Sequence, residues 1–362
     1  MRTNNEEEIM KNKIKVGIIG TGSISQLHIG AYKKLKDVEV VAACDVNEQR
    51  VRDYARKHEI PNVFTDYKEL LKMKEIDAVS VTTWNNFHAP ISIDALKAGK
   101  DVLCEKPLAL NATQAEEMVE TSKKTGKLLM VGFVRRFGEN AKMIKQSVEQ
   151  GELGNVYYAK TGVIRRWGNP GGWFSDKKRS GGGPVIDLGV HMIDLVRFLT
   201  GKPNAISVTA SVFNHVGMKP EIKGINKYYP ADYSEYNDVE DAATSLIKFD
   251  NGLTLFFETS WVMHVKEDYL YLSLYGDKAG AQMEPVIEYY EEKNHYFTDV
   301  KPLVDPAASD FVHNFEEEIK HFRDCVKDGI KCLSPAEDGL ALMKILDAIY
   351  ESGKTGHEVI IK

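Results

Sequence analysis

The first third of this 362-residue chain alternates short apolar runs with amphipathic stretches, and that alternation restricts its fold more than any other feature. Lys13–Ile19 (KIKVGII), Val38–Cys44, Asp77–Thr82, Asp101–Cys104 and Leu128–Gly132 read as strands. The stretches 24–35, 47–58, 89–98 and 111–125 between them read as helices. Strands that alternate with helices pair in parallel through right-handed crossovers. Strands covered on both faces carry continuous apolar runs, as these do. The expectation is an α/β fold opening with a doubly wound parallel sheet.

Beyond Phe133 the pattern changes. One more helical stretch, 140–150, is followed by longer alternating segments at 156–165, 206–214, 239–249, 253–261 and 269–275. Asn251-Gly252 between two of them predicts a hairpin with both residues at positive φ. Helices over 311–328 and 335–352 and a strand over 358–361 complete the reading. The expected division is therefore 1–133, a doubly wound domain, and 134–362, an α+β domain on a large open, mainly antiparallel sheet. No repeat or low-complexity segment interrupts it.

The first predicted strand runs into Gly20-Thr21-Gly22-Ser23-Ile24-Ser25, a G-x-G-x-x-S. Gly20 suits a tight turn, and Gly22 lets a pyrophosphate approach the backbone amides of a helix N-terminus. Ser25 stands where Gly or Ala is usual and is small enough for helix–strand packing. Asp45 ends the second predicted strand, where an acid grips the ribose 2′-hydroxyl of a dinucleotide. A glycine-rich turn with a solvated Asp would explain any one of these features. Their order (strand, glycines, helix, strand, acid) points to dinucleotide binding.

Glu105-Lys106-Pro107 follows the strand at 101–104, at the sheet edge where ligands bind in open α/β folds. On the triplet alone, a solvent-facing lysine ahead of a helix is the simpler reading. Pro184 suits the first turn of a helix over 185–199, and Gly201 its end. That helix would set Asp187 and His191 at i and i+4 on one face. An imidazole beside an acid can accept a proton near neutral pH; a capping Asp and a packed His fit equally well. Asp194 is a turn further on, but with no second His or Cys close by, metal is not expected. The loop 165–183 carries Arg165, Trp167, Asn169 and Trp173, which suit a hydroxyl-rich ligand or an ordinary surface loop. The tyrosine-bearing stretch 215–237 reads as a lid or a subunit contact.

Hydrophobic residues make up 43% and charged residues 28%, a globular balance. The net charge of -6 gives no overall basic footprint for nucleic acid. No apolar run reaches the roughly 18 residues of a membrane span, and the charged start is no secretory leader. Cys44, Cys104, Cys325 and Cys332 form no CxxC pair, which argues against a disulfide framework or cysteine zinc site and for a reducing cytoplasm.

Taken together these motifs resemble the Gfo/Idh/MocA oxidoreductases, over nearly the whole chain. The resemblance rests on VGIIGTGSIS at 16–25, Asp45, Thr83-Trp84-Asn85 with His88, Glu105-Lys106-Pro107, and GGGPVIDLGVHMIDL at 181–195. It implies a Rossmann domain, a second domain whose open sheet forms a homodimer or homotetramer contact, and NAD as cofactor. It implies a dehydrogenase acting on a secondary hydroxyl of a sugar, sugar derivative or cyclic polyol. The cofactor set it implies is Gly20, Gly22, Ser23, Ile24, Asp45, Thr83, Asn85, His88, Glu105, Lys106, Arg136 and Trp173. Trp84 stands where the family has Pro. Lys106, Asp187 and His191 match the family's catalytic residues, with Arg165 and Trp173 joining them around the substrate. An NAD-using glycoside hydrolase without net redox change, and a non-enzymatic dinucleotide sensor, are the alternatives.

Overall fold

The computed structural model describes residues 13–224 and 228–361; the first 12 residues, on which the reading of the start rests, lie outside them. In chain order the first elements are β1 (Ile14–Ile19), α1 (Ser23–Tyr32), β2 (Val38–Cys44), α2 (Glu48–His58), β3 (Asn62–Phe64), α3 (Tyr67–Leu71), β4 (Ala78–Val81), α4 (Asn85–Lys97), β5 (Asp101–Glu105), α5 (Ala112–Thr125) and β6 (Leu129–Gly132). There follow α6 (Glu139–Glu149), β7 (Val156–Ile164), α7 (Lys177–Ser180), α8 (Val190–Leu199), β8 (Ala205–Phe213), β9 (Ala242–Phe249) and β10 (Thr254–Ser260). The last are β11 (Tyr269–Gly276), β12 (Ala279–Glu284), β13 (Glu288–Lys293), β14 (Tyr296–Val300), α9 (Phe311–Asp328), α10 (Ala336–Thr355) and β15 (Val359–Ile360).

The chain forms two compact units, with the main division after Phe137 and residues 110–112 already belonging to the second. In the first, six parallel strands run in the order β3-β2-β1-β4-β5-β6. The order reverses beside β1, so the carboxyl edge between β1 and β4 is the crevice where such sheets bind ligands. The apolar runs are as buried as the parallel pattern requires: Ile18, Val79, Val102 and Leu103 are all 0% exposed.

The sequence reading assigns everything from 134 to 362 to the second domain; the structure returns 310–340 to the first unit. Helix α9 is amphipathic, and its Ile319 and Phe322 join Ile14, Val16, Tyr32, Val38 and Leu103 in one core. The periodicity of a helix shows that it covers a sheet, not which sheet. Charges tie the same helix down. Asp37, just before β2, accepts from Arg323 at 2.7 Å and from Lys327 at 2.5 Å. Burial would raise the Asp37 pKa, but the two cations outweigh it and hold the carboxyl below its ordinary range. A depressed pKa contributes stability above the unfolded value and loses it as pH falls through the folded one. Asp37→Asn should therefore lower unfolding free energy by about 1–3 kcal/mol at pH 7. In denaturant titrations that difference should shrink as pH falls below about 4.

The second unit holds a nine-stranded sheet, β14-β13-β12-β11-β7-β10-β9-β8-β15. Only β10 and β7 pair in parallel; the other neighbours are antiparallel. The β9–β10 hairpin forms at Asp250-Asn251-Gly252, but only Gly252 takes a positive φ, +88°. The loop is thus a three-residue connection closed by Phe249 N to Leu253 O, 2.9 Å, rather than the two-residue turn expected. Strands β12–β14 were not foreseen, because their mixed and exposed residues show no clean alternation. Asn294 and His295, both at positive φ, make the β13–β14 turn.

One face of this sheet presents Phe256 opposite Leu246 and Lys160, and Glu258 opposite Gly162 and Thr244. Tyr271 donates to Glu258 at 2.9 Å, and Tyr158 stacks on Tyr275 at 5.6 Å. A mixed face of aromatic and polar residues suits a self-complementary contact, and closed symmetric assemblies are the usual outcome. Light scattering should give a homodimer or homotetramer of the 40.7 kDa chain. A stable monomer at micromolar concentration would refute this.

Candidate active site

The first unit gathers the expected dinucleotide residues on one edge. Gly20 has φ +96°, and a Cβ there would lie 2.6 Å from Thr82 O, so β1 turns directly against the end of β4. Gly22 precedes α1 with open space around it and no side-chain cap, leaving the helix's first amides available. Ser23 is exposed and Ile24 half-buried beside them. Ser25 is fully buried and donates to Gly22 O at 2.6 Å, while Tyr54 donates to Ser25 O at 3.0 Å. The hydroxyl in place of Gly or Ala is therefore satisfied internally.

Asp45 is held on all sides. Oδ2 accepts from Thr21 N (2.8 Å) and Thr21 Oγ1 (2.9 Å), and Oδ1 from Asn47 N (2.9 Å). Arg50 pairs with both oxygens, at 3.0 and 2.6 Å. Burial pushes against ionisation, but Arg50 and the backbone donors keep the Asp45 pKa below the ordinary range. Arg50, five residues after the acid in the first turn of α2, folds back over it.

Trp84 has φ −66°, the value a proline ring would impose, so the Thr83-Trp84-Asn85 turn keeps the backbone a Pro would give it. Asn85 opens α4 and is 7% exposed. His88 was expected at the cofactor but is 0% exposed. Its Nδ1 lies 2.7 Å from Pro107 O and its Nε2 3.1 Å from Thr83 O. Burial holds its pKa below that of an ordinary histidine. It is a brace between two edge loops rather than part of their surface. Arg136, 1% exposed, likewise donates from Nη1 to Asp338 (2.7 Å) and Leu333 O (2.6 Å) and covers the Phe133 ring.

Glu105 ends β5 and Lys106, half-buried, follows it before a cis Pro107. Glu105 Oε1 lies 2.8 Å from His28 Nε2, and Oε2 accepts from Lys106 N at 3.2 Å. His28 continues to Ser80 (3.3 Å), which meets Tyr32 (2.8 Å). Glu318 of α9 brings a second buried carboxyl within 4.8 Å of His28 and Glu105. Two buried carboxylates so close do not both ionise. Burial raises the Glu318 pKa strongly, with the Glu105 charge adding to it. The Glu105 pKa is lowered: burial opposes this, and the His28 hydrogen bond and nearby Lys106 outweigh it. Glu105 therefore carries the charge and Glu318 the proton. The i, i+4 pair His28 and Tyr32 was a sequence signal for this network; Glu318 offered none.

The second unit positions Asp187 and His191. The expected α-helix over 185–199 is instead a π-helical turn, Val185–Gly189, leading into α8. Gly189 is needed there, since a Cβ would lie 2.6 Å from the Phe257 ring. Such turns widen the helix and often mark functional sites. Glu240 caps the segment's start, accepting from Gly183 N (2.9 Å), Val185 N (3.1 Å) and Tyr350 Oη (2.9 Å). Trp261, 1% exposed, donates from its indole to Asp187 Oδ2 at 3.2 Å and so orients it. Sequence reasoning missed Glu240, Trp261 and Tyr350 as members of this site.

Arg165 and Trp173 are half-buried in the loop ahead of it. Trp173 packs against Phe174 with ring centroids 4.0 Å apart and planes tilted by 31°, and Phe174 meets Trp261 and Tyr228 edge-on. The 215–237 stretch, described except for 225–227, lies along this loop. Gly172 N donates to Ser234 O (3.2 Å), and Arg179 pairs with Asp232 (3.0 Å). Of the catalytic candidates, Lys106 belongs to the first unit and Asp187 and His191 to the second.

Residues 14–133 match the family model described as an oxidoreductase family with an NAD-binding Rossmann fold, and 141–282 match the GFO/IDH/MocA C-terminal domain. The chain is 34% identical to D-glucoside 3-dehydrogenase of Escherichia coli over 96% of its own length and 97% of that protein's. It is 25% identical to inositol 2-dehydrogenase of Salmonella typhimurium, over 96% and 97%. A levoglucosan dehydrogenase solved with NADH superposes with a TM-score of 0.85 at 22% identity, covering 97% of this chain and 99% of that one. Among the described residues no helix is long and apolar enough to cross a membrane.

Proposed function

Because the chain belongs to the Gfo/Idh/MocA family of NAD-binding oxidoreductases, we propose that it oxidises a secondary hydroxyl of a sugar, sugar derivative or cyclic polyol, or reduces the matching ketone. The observation that carries this reading is the gathering of Gly20, Gly22, Asp45 and Lys106 on one carboxyl edge of the parallel sheet. The open first turn of α1 and the acid at the end of β2 fit a dinucleotide, with Thr83 and Asn85 lining the neighbouring loop. NAD, when bound, supplies the hydride acceptor.

The chain's own residues manage the proton and the substrate. His191 takes the hydroxyl proton, Asp187 holds the imidazole's orientation and charge, and Lys106 binds the reacting oxygen. Arg165 and Trp173 supply a donor and an aromatic face to the rest of the sugar. The names of the relatives put D-glucosides and inositols first among substrates to try. The four cysteines, all free thiols, support a reducing cytoplasm as its place of action.

The test is a panel of glucosides, free sugars, inositols and sugar acids scanned for NADH appearance. NADH formation from a member of this panel is the expected result. Cleavage of a glycoside without net NADH would replace this reading with the hydrolytic one. NAD binding without turnover of any panel member would leave a sensor.

A further inference from the structure

Cys325 and Cys332 are close in sequence but differ in setting: one lies in the last turns of α9, buried, and the other in the loop before α10, partly exposed. The fold brings them together with His321, one helical turn before Cys325. The two Sγ atoms and His321 Nε2 all lie within 4.8 Å of one another, with Cys325 Sγ 3.4 Å from Nε2. Leu333 N donates to that same Nε2 at 2.9 Å, which commits its lone pair to the loop. A metal would have to displace this bond, so the geometry favours a dithiol over a cation site.

We propose that Cys332 is a modification site, a nucleophilic thiol that hydroperoxides oxidise and that Cys325 resolves to a disulfide. The sulfur of the partly exposed residue attacks and that of the buried residue resolves, a pairing of the kind redox-sensing cysteines use. The pairing with Cys325, the adjacent His321 ring and the Ser334 N–H outweigh burial and lower the Cys332 pKa to about 5, while the same pairing and burial push Cys325 up. Cys44 and Cys104, by contrast, are buried and pushed up to about 12.

The chemistry balances. The Cys332 thiolate attacks the distal peroxide oxygen; the O–O bond breaks, the alcohol (or water) leaves, and sulfur is oxidised to a sulfenic acid. The Cys325 sulfur then attacks that sulfur, and hydroxide leaves as water with the Cys325 proton. Two thiols and one hydroperoxide become one disulfide, one alcohol and one water. The linkage would staple the end of α9 to the loop that covers edge strand β6. There Ser334 donates to Val131 O at 2.6 Å and Leu333 O holds Arg136.

The experiment uses the whole reduced protein and iodoacetamide. An ordinary thiol of pKa about 8.5 gains roughly 75-fold in alkylation rate from pH 6 to pH 8. Cys332 should change less than about twofold, because its thiolate is already formed. Full ionisation is partly offset by the lower nucleophilicity of a weakly basic sulfur, so the pH profile is more telling than the rate at neutral pH. The same residue in urea supplies the ordinary profile, and His321→Asn should move the folded profile towards it. One equivalent of hydrogen peroxide should yield a tryptic pair linking residues 324–327 to 332–344. In Cys325→Ser, dimedone should label Cys332. An ordinary profile for Cys332, no linked pair, or stoichiometric zinc that blocks alkylation would each overturn the proposal.

Discussion

Alanine at His191 is expected to lower turnover by roughly 10²–10⁴-fold, the usual worth of a positioned acid or base, with NAD affinity changed less than about threefold. The separation follows from the architecture: the glycine turn and Asp45 belong to the first unit and His191 to the second. Stopped-flow and steady-state assays with the substrate found in the panel measure it. Lys106→Ala should also lower turnover, with a larger rise in substrate KM if its ammonium binds the reacting oxygen. Asp187→Asn should shift the pH–rate profile of oxidation, since it removes the charge but keeps the size. Trp261→Phe should shift the same profile more weakly, because it removes only the indole donor on Asp187. Turnover within about threefold of wild type in His191→Ala, together with an inactive Lys106→Ala, would transfer the proton to Lys106.

Catalytic efficiency with NAD is expected to exceed that with NADP by at least about tenfold, or ~1.4 kcal/mol. Asp45 accepts hydrogen bonds from an unmodified ribose and repels a 2′-phosphate. Arg50 tempers that repulsion, since it pairs with both carboxylate oxygens. Asp45→Ala should therefore narrow the preference through two effects: it removes the acid and frees Arg50 to meet the phosphate. Arg50→Ala should act oppositely, leaving the acid unscreened and widening the preference. Equal or better efficiency with NADP in the wild-type protein would sink this assignment.

The parts of the site that could be read from the sequence are those whose chemistry is local. Gly20 and Gly22 sit within one turn of each other, Asp45 ends the next strand, and Lys106 follows a buried run by two residues. The residues that went unread act across long separations. Glu240 caps amides 55 and 57 positions earlier, and Trp261 reaches back 74 to Asp187. His88 and Arg136 were read as cofactor contacts because a family motif records which residues recur, whereas burial decides whether they face the ligand or support the loops that do.

Periodicity, strand–helix order and the glycine turn by themselves determined the parallel sheet, its ligand-binding edge and the dinucleotide chemistry, because each is imposed by backbone geometry over a few residues. Only the tertiary structure decided that α9 covers the first unit, that Glu318 takes the proton while Glu105 keeps the charge, and that Cys325 and Cys332 meet beside His321. An apolar helix face, a buried carboxyl or a thiol carries no record in its own sequence of the surface it will be packed against. Burial and neighbouring charge, which set its chemistry, exist only once the chain has closed on itself.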